Sequence, residues 1–213
     1  TRIKIKNENI ELVTGSLLEV TVSYNQRSSL GVPDTSIILE GSKAYVYKVS
    51  KDNIANKIEV IEAGSERQES VYNAFSKIRS SVDAVIIQDG ARPFINPKWI
   101  KSTIKKMKTH DGAIVALPSS DTLKFSQNSI IEKTLDRSSI WQAQTPQTFT
   151  VDILDTAFDY ARKKNFVGTD ESQIVEMVGG QIALIKGSAF NLKLTTKNDL
   201  ILAQEIFAKG LNV

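Results

Sequence analysis

The first third of the chain alternates polar and apolar residues. This period of two occurs at residues 2–6, 18–22 and 44–49, and turn-forming residues separate the three stretches. Alternation of this kind is typical of strands with one buried face, and short strands at this spacing are typical of small barrels or sandwiches. The pattern therefore predicts a small all-β segment over residues 1–62.

The period changes near residue 63. Val71, Ala74, Phe75 and Ile78 recur at helical spacing, and the apolar run at residues 83–87 is typical of a buried strand. Strands and helices then alternate to the end of the chain, which predicts a layered α/β domain with a mostly parallel sheet. The two patterns divide the chain into a β-rich segment, residues 1–62, and an α/β domain, residues 63–213.

Capping residues mark the predicted helix starts. Ser65 and Gln68 have the spacing of a capping box, Asn96 precedes a proline, and Thr196 precedes the last apolar stripe. Between the second and third helices, residues 119–135 alternate weakly around polar turns. This stretch predicts a β-hairpin arm.

Composition narrows the possible chemistry. The 213 residues include no cysteine and a single histidine, His110, which excludes thiolate metal sites and argues against a histidine-based metal site or catalytic triad. The net charge of +3 is too small to indicate nucleic-acid binding. No apolar run reaches the roughly 20 residues of a membrane span. No charged-then-apolar leader is visible, so a cytoplasmic protein without a signal peptide is predicted.

An acidic residue stands at the end of a predicted strand. Asp89 follows the apolar run at 83–87 and precedes Gly90 and an Arg-Pro pair. Ligands of open α/β sheets bind at the carboxyl ends of strands, and a carboxylate suits a phosphate-bound magnesium ion. A solvent-exposed turn is the alternative interpretation of this hexapeptide.

Seven motifs after residue 62 decide between these interpretations. They are AGSERQESV at 63–71, DGARP at 89–93, DTLK at 121–124, DR at 136–137, QTPQ at 144–147, TDE at 169–171 and NLKLT at 191–195. In this order and spacing, residues 63–213 resemble the 2-C-methyl-D-erythritol 4-phosphate cytidylyltransferase family. The resemblance implies a Rossmann-like nucleotidyltransferase domain that lacks its N-terminal βα units. Ribitol-5-phosphate cytidylyltransferases share most of the motifs and stay an alternative.

The family joins CTP to a sugar-alcohol phosphate and releases pyrophosphate. The resemblance implies that Arg137 and Lys193 are catalytic and hold the substrate phosphate, and that Thr145 and Thr169 line the same pocket. It also implies a homodimer formed through the arm at about residues 119–145.

The resemblance assigns a second group of residues to the nucleotide. Gly64, Ser65 and Ser70 match positions that contact the cytidine part of CTP. Asp89 matches the acid beside the nucleotide and its Mg²⁺, which makes Mg²⁺ the expected cofactor.

One family feature is missing from the sequence. The family opens with a glycine-rich loop that cradles the CTP triphosphate and supplies basic side chains. Residues 1–62 contain only Gly15, Gly31 and Gly41, and none of them opens a predicted helix. The missing loop predicts half a site, with little or no turnover.

Residues 1–62 resemble a different class of protein. The stretches ELVTGSLLEVTV, VPDTSIILEG and AYVYKVSKDN are similar to the β-barrel and membrane-proximal parts of periplasmic efflux adaptor (membrane fusion) proteins. This resemblance would imply the periplasm, whereas the missing leader predicts the cytoplasm. The two resemblances together predict a chimeric chain, and a non-enzymatic adaptor fragment is the third candidate function.

Overall fold

The computed structural model describes residues 35–40, 43–50 and 53–210, with side chains from residue 61 onward. The strands are β1 Thr35–Glu40, β2 Lys43–Ser50, β3 Asn53–Glu62, β4 Ala84–Asp89, β5 Gly112–Pro118, β6 Lys124–Gln127, β7 Ile130–Thr134, β8 Trp141–Thr150 and β9 Ile182–Lys186. The α-helices are α1 Arg67–Ile78, α2 Pro97–Lys106, α3 Val151–Lys164, α4 Glu171–Met177 and α5 Lys197–Ala208. The predicted strands at 2–6 and 18–22, and Gly15, Gly31 and Gly41, lie outside the described residues.

The main sheet has seven strands in the order β3-β2-β1-β4-β8-β5-β9. Two pairings, β1 with β4 and β5 with β9, are parallel, and the other four are antiparallel. The α/β architecture agrees with the prediction, but the prediction of a mostly parallel sheet is wrong. The predicted strand at 44–49 lies within β2.

The strand β8 makes two of the four antiparallel pairings. It runs antiparallel between β4 and β5, because the chain returns directly from the arm into the sheet rather than through a crossover helix. Its pairing with β5 shifts register between Ile114 and Ala116, beside Thr145 and Pro146. Irregularities of this kind are common next to active sites, because they redirect side chains.

The core lies between the sheet and the helices α1 and α3. The predicted apolar stripe of α1, Val71, Ala74, Phe75 and Ile78, is buried. The ring of Phe158 from α3 packs 5.6 Å from that of Phe75. Helix α1 therefore packs along the face that its sequence period predicts.

The helix starts agree with the prediction at two places and not at a third. Asn96 accepts a hydrogen bond from the Lys98 amide at 2.9 Å, and Thr196 forms a capping box with Asp199. Ser65 is not the N-cap of α1, because the helix begins one residue later, after Glu66.

The side chain of Gln68 explains why the predicted capping box does not form. Its Nε2 donates to the Phe166 carbonyl at 3.0 Å, and its Oε1 accepts from the Gly168 amide at 2.7 Å. Gln68 thus holds the loop after α3, and the amide and hydroxyl of Ser65 instead donate to Glu69 Oε2.

The strands β6 and β7 form the predicted hairpin arm as a separate two-stranded sheet. On the other side of the molecule, β1–β3 share the main sheet with β4. The sheet therefore continues across residue 62, and the division of the chain into segments 1–62 and 63–213 stays a prediction. Within the described ranges, no helix combines the length and apolar character that a membrane span needs.

Candidate active site

A polar cavity lies at the end of the main sheet. Its volume is about 210 Å³, and ten residues line it. Four of these were predicted from the sequence: Asp89 at the end of β4, Thr145 in β8, Thr169 before α4, and Lys193 in the loop after β9. The structure therefore brings together most of the predicted phosphate-binding group.

Three cations surround the carboxylate of Asp89. Lys193 Nζ lies 3.1 Å and Arg92 Nε 3.4 Å from Oδ2, and Arg67 Nη2 lies 3.6 Å from Oδ1. Burial by itself would raise the pKa of Asp89, but attraction to Lys193, Arg67 and Arg92 outweighs burial and holds the pKa below its usual value. The Asp89 carboxylate is thus held in its charged form, with three cations around it.

The three cations differ in how firmly they are held. Arg92 Nη1 donates to the Asn191 carbonyl at 2.6 Å, and Arg67 Nη1 donates to both carboxylate oxygens of Glu171 at 2.8 and 2.9 Å. The side chain of Lys193 is 43% exposed, and Asp89 is its ion-pair partner. Lys193 is therefore the cation best able to turn toward a ligand.

The loop that carries Lys193 is fixed by the buried residue Asn191. Its Nδ2 donates to the Thr145 carbonyl at 2.9 Å and to Gln144 Oε1 at 3.2 Å. The Leu194 amide donates to the Ala91 carbonyl at 2.8 Å. The NLKLT and QTPQ motifs therefore meet, and the backbone around Lys193 has a defined position beside the cavity.

The amide of Gln147 is a second polar group in the cavity wall. Its Nε2 donates to Asp170 Oδ2 at 2.8 Å, which fixes the orientation of the amide. Asp170 is the N-cap of α4 and accepts from the Gln173 amide at 3.0 Å. The Oε1 atom of Gln147 is buried and has no hydrogen-bond donor within the described part of the chain.

The two threonine hydroxyls have different partners. Thr145 Oγ1 accepts from the Asp89 amide at 3.1 Å, which leaves its own proton available to a ligand. Thr169 Oγ1 donates to Gln173 Oε1 at 3.2 Å. Thr169 lies directly before Asp170, the N-cap of α4.

Arg137 is not among the residues that line the cavity. It begins a short 3-10 turn between β7 and β8, and its Nη1 donates to the Ser120 carbonyl at 2.5 Å. The structure thus places Arg137 at the base of the arm, whereas Lys193 lies in the cavity of the same chain.

The predicted nucleotide-binding residues lie together at the start of α1. The Gly64 amide donates to Ser70 Oγ at 3.1 Å, and Ser65 contacts Glu69. A Cβ atom added to Gly64 would lie 2.2 Å from Glu69 Cγ, so this position has no room for a side chain. Ser65 lines an open groove of about 620 Å³ between α1 and α3.

Sequence reasoning missed several residues of the cavity wall. Arg67, Arg92, Gln147 and Asp170 all line it. Each belongs to one of the seven motifs, so the motifs identified the segments that form the cavity wall. The motifs did not indicate which of their members point into a shared cavity.

Comparisons with known proteins address the whole chain. A profile of the family described as IspD, 2-C-methyl-D-erythritol 4-phosphate cytidylyltransferase, matches residues 4–209. The chain is similar to the protein of that name from Clostridioides difficile, with 39% identity over 161 residues, 73% of this chain and 68% of that protein. The corresponding Bacillus licheniformis protein is 45% identical over 149 residues, 70% of this chain and 64% of that protein.

Solved structures give the same result. The crystal structure of 2-C-methyl-D-erythritol 4-phosphate cytidylyltransferase from Thermus thermophilus matches with a TM-score of 0.63 and 31% identity, over 68% of this chain and 71% of that one. The Francisella tularensis structure matches with a TM-score of 0.63 and 35% identity, over 68% and 69% of the two chains. The predicted Rossmann-like α/β fold is thereby confirmed.

The comparisons support one of the two predicted resemblances and not the other. They give no support to an efflux adaptor, because the profile match already begins at residue 4. The resemblance of the later motifs is confirmed by both the profile and the relatives. The chain belongs to the 2-C-methyl-D-erythritol 4-phosphate cytidylyltransferase family.

Proposed function

We propose that this chain joins CTP to 2-C-methyl-D-erythritol 4-phosphate and releases pyrophosphate. The observation that supports the proposal is the cavity at the end of the sheet, in which Lys193, Arg92 and Arg67 surround Asp89. The relatives carry the name of this activity. Because the aligned region covers 64–68% of their length, the activity of the whole protein is a proposal for this chain.

The proposed reaction is an in-line phosphoryl substitution. An oxygen of the substrate phosphate attacks the α-phosphorus of CTP and forms a new P–O bond. The bond from the α-phosphorus to the bridging oxygen breaks, and its electron pair leaves with pyrophosphate. Negative charge builds on the phosphoryl oxygens, so the reaction needs cations and positioning more than covalent catalysis.

The cavity residues suit this need in different ways. Lys193 is exposed and mobile enough to bind the incoming substrate phosphate as a point charge. Arg67 and Arg92 are held by groups outside the cavity and supply fixed positive charge. The hydroxyl of Thr145 is a proposed donor to the sugar-alcohol phosphate, and that of Thr169 would become a second donor on releasing Gln173 Oε1.

Magnesium is part of the proposal. Among the described residues, no group of three or more His, Cys, Asp or Glu side chains could hold a metal ion by itself. Mg²⁺ is commonly bound by one or two carboxylates together with substrate phosphates, and Asp89 is a charged carboxylate in the cavity. Asp89 would therefore hold the ion together with CTP, and the ion would neutralise charge on the phosphates.

The nucleotide is proposed to bind beside the start of α1. Gly64, Ser65 and Ser70 lie in one hydrogen-bonded turn directly before and after Arg67, a residue of the cavity wall. The missing side chain of Gly64 lets the Glu69 side chain pack against this turn. The cytidine part of CTP is the expected occupant.

The rate of the reaction is a separate part of the proposal. The predicted absence of a glycine-rich loop from residues 1–62 removes backbone amides and basic side chains that would stabilise the transition state. We expect binding of CTP with weak or no turnover. Ribitol 5-phosphate is the alternative substrate, and a cytoplasmic location accompanies either enzymatic function.

The test measures pyrophosphate release from CTP with each of the two sugar-alcohol phosphates, and binding of CTP and of each sugar-alcohol phosphate by calorimetry. Lys193→Ala is compared with Lys197→Ala, an exposed lysine at the start of α5. Binding of the sugar-alcohol phosphate that is lost in Lys193→Ala but not in Lys197→Ala supports the proposed cavity, and the phosphate that reacts faster identifies the substrate. A chain that binds neither CTP nor a sugar-alcohol phosphate contradicts the function.

A homodimer formed through the arm is the final part of the proposal. Phe125, Ile130 and Ile131 are exposed on β6 and β7 by 41%, 70% and 62%. A two-stranded hairpin is marginally stable in water unless a further surface covers it. Pairing of two arms would cover these side chains and would place Arg137 at the interface.

A further inference from the structure

A buried carboxylate lies directly behind the cavity. Glu171 is the first residue of α4 and is 1% exposed, so water does not compensate its charge. Both of its oxygens accept hydrogen bonds from Arg67 Nη1, at 2.8 and 2.9 Å. A buried carboxylate persists only when it is paired in this way.

Arg67 connects this carboxylate to the cavity. One nitrogen of its guanidinium, Nη1, contacts Glu171, and the other, Nη2, lies 3.6 Å from Asp89 Oδ1. The side chain is 30% exposed and lines the cavity. One side of the planar Arg67 guanidinium is therefore fixed in the protein interior, and the other side faces the proposed phosphate site.

We propose that Glu171 is a positioning residue that holds the guanidinium of Arg67 in the orientation needed to bind a phosphate group of CTP. Glu171 itself does not touch the ligand. The inference rests on the proposed function and deepens it, because it assigns a role to a residue outside the cavity wall. The ligand chemistry is that of a nucleoside triphosphate.

Arg67 differs from the other two cations of the cavity in what holds its side chain. Arg92 is fixed by the Asn191 carbonyl, and Lys193 has a flexible stem that can follow a ligand. Without Glu171, Arg67 would turn toward Asp89 and Asp170, the remaining carboxylates of the cavity wall. Arg67 would then neutralise these carboxylates instead of a phosphate.

The closing experiment titrates CTP into the full chain by calorimetry. Glu171→Gln keeps the volume of the side chain and removes its charge, whereas Glu171→Asp keeps the charge and withdraws it by one methylene. Glu176→Gln, an exposed glutamate of the same helix, is the matched control. We expect both changes at 171 to raise the Kd for CTP by about 10- to 100-fold, as for other residues that orient a ligand-binding group, and the control to leave it unchanged.

A double variant separates positioning from a structural role. If Glu171 acts through Arg67, Arg67→Lys weakens CTP binding, and Glu171→Gln adds no further loss to it. Thermal unfolding confirms that each variant is folded. Glu171→Asp, which keeps a buried negative charge but withdraws it from Arg67, serves if Glu171→Gln does not fold. Two additive losses, or a lowered Tm with an unchanged Kd for the folded protein, overturn the proposal.

A ligand-free readout distinguishes this inference from the proposed function. NMR of ¹⁵N-labelled arginine should show restricted rotation of the Arg67 guanidinium in the parent chain and free rotation in Glu171→Gln. If the parent chain binds no CTP, the proposed function fails while restricted rotation still supports the orienting contact. Free rotation in the parent chain contradicts the positioning role directly.

Discussion

The cavity and the arm differ in whether their side chains have interaction partners within the chain. In the cavity, Asp89 has three cationic partners, and Gln147 donates to Asp170. In the arm, every residue of β6 and β7 is exposed, including two isoleucines and a phenylalanine. The charged Asp89 of the cavity is thus paired within the chain, whereas the apolar side chains of the arm face solvent in the single chain.

This difference follows from the support beneath each region. The cavity is built on β4 and β8, which are central strands packed on the α1–α3 core. The arm leaves the sheet after β5 and rejoins it before β8, where the Ser119 amide donates to the Ile140 carbonyl; the Leu135 amide donates to the Leu123 carbonyl within the hairpin itself. A rigid site is therefore possible in one chain, whereas the arm would gain stability from the second copy of the proposed dimer.

The largest expected effect tests the support beneath the cavity. Phe158→Ala removes a buried ring that packs on Phe75 and should cost about 3–5 kcal/mol of unfolding free energy. Phe125→Ala, the matched change in the exposed arm, should cost less than about 0.5 kcal/mol. Urea unfolding at a concentration where the chain is monomeric measures both. Equal losses would show that the arm contributes to the core after all.

The second prediction concerns the arm itself. Ile130→Asp places a charge on its most exposed apolar side chain and should weaken self-association by about 1.5–3 kcal/mol, the usual benefit of burying an isoleucine. Val167→Asp, at an exposed apolar residue after α3, should leave association unchanged. Sedimentation equilibrium reports the dissociation constants. A parent chain that stays monomeric at all concentrations would exclude the proposed dimer.

The third prediction uses the ion pairs of the cavity. The pKa of Asp89 is lowered in the folded chain, so its ionised form stabilises the fold above the unfolded pKa of about 3.9. This contribution is lost as the pH falls through the lowered folded pKa. Asp89→Asn should therefore be less stable than the parent at neutral pH, and the difference should shrink in acid. A difference that grows in acid would contradict the assigned ion pairs.

The smallest expected effect compares two helix starts. Thr196→Ala removes the capping box of α5 and should cost about 1 kcal/mol. Thr150 is the N-cap of α3 but makes no capping hydrogen bond through its side chain, so Thr150→Ala should have little effect. Thermal unfolding of the two variants gives the comparison. A larger loss at Thr150 would reverse the assignment of the caps.

Much of the fold followed from local pattern. The stripe from Val71 to Ile78, the cap at Thr196 and the strand before Asp89 depend on residues close together in the chain. The antiparallel strand β8 was not predicted, because QTPQ is polar and contains a proline, which argues against a central strand. Its pairing depends on β4 and β5, which lie far from it in sequence.

The motifs predicted which segments of the chain form the candidate site, but they did not predict which side chains contact one another. The motifs contained Asp89, Thr145, Thr169 and Lys193, which the structure places around one cavity. They also contained Arg137, which lies at the base of the arm, and Glu171, which lies behind the cavity. The side chains of consecutive motif residues point to different sides of a turn, so a motif alone does not determine which side chain faces a ligand.

The sequence by itself determined the helices, the class of fold and the family, because these depend on periodicity and on ordered motifs within the chain. Only the tertiary structure decided which charges meet. Arg67 and Glu171 are separated by 104 positions, yet their atoms lie 2.8 Å apart. No local sequence pattern identifies the ion-pair partner of a charged side chain, because electrostatic attraction acts between residues that are close in space. The packed elements around the side chain determine how deeply it is buried.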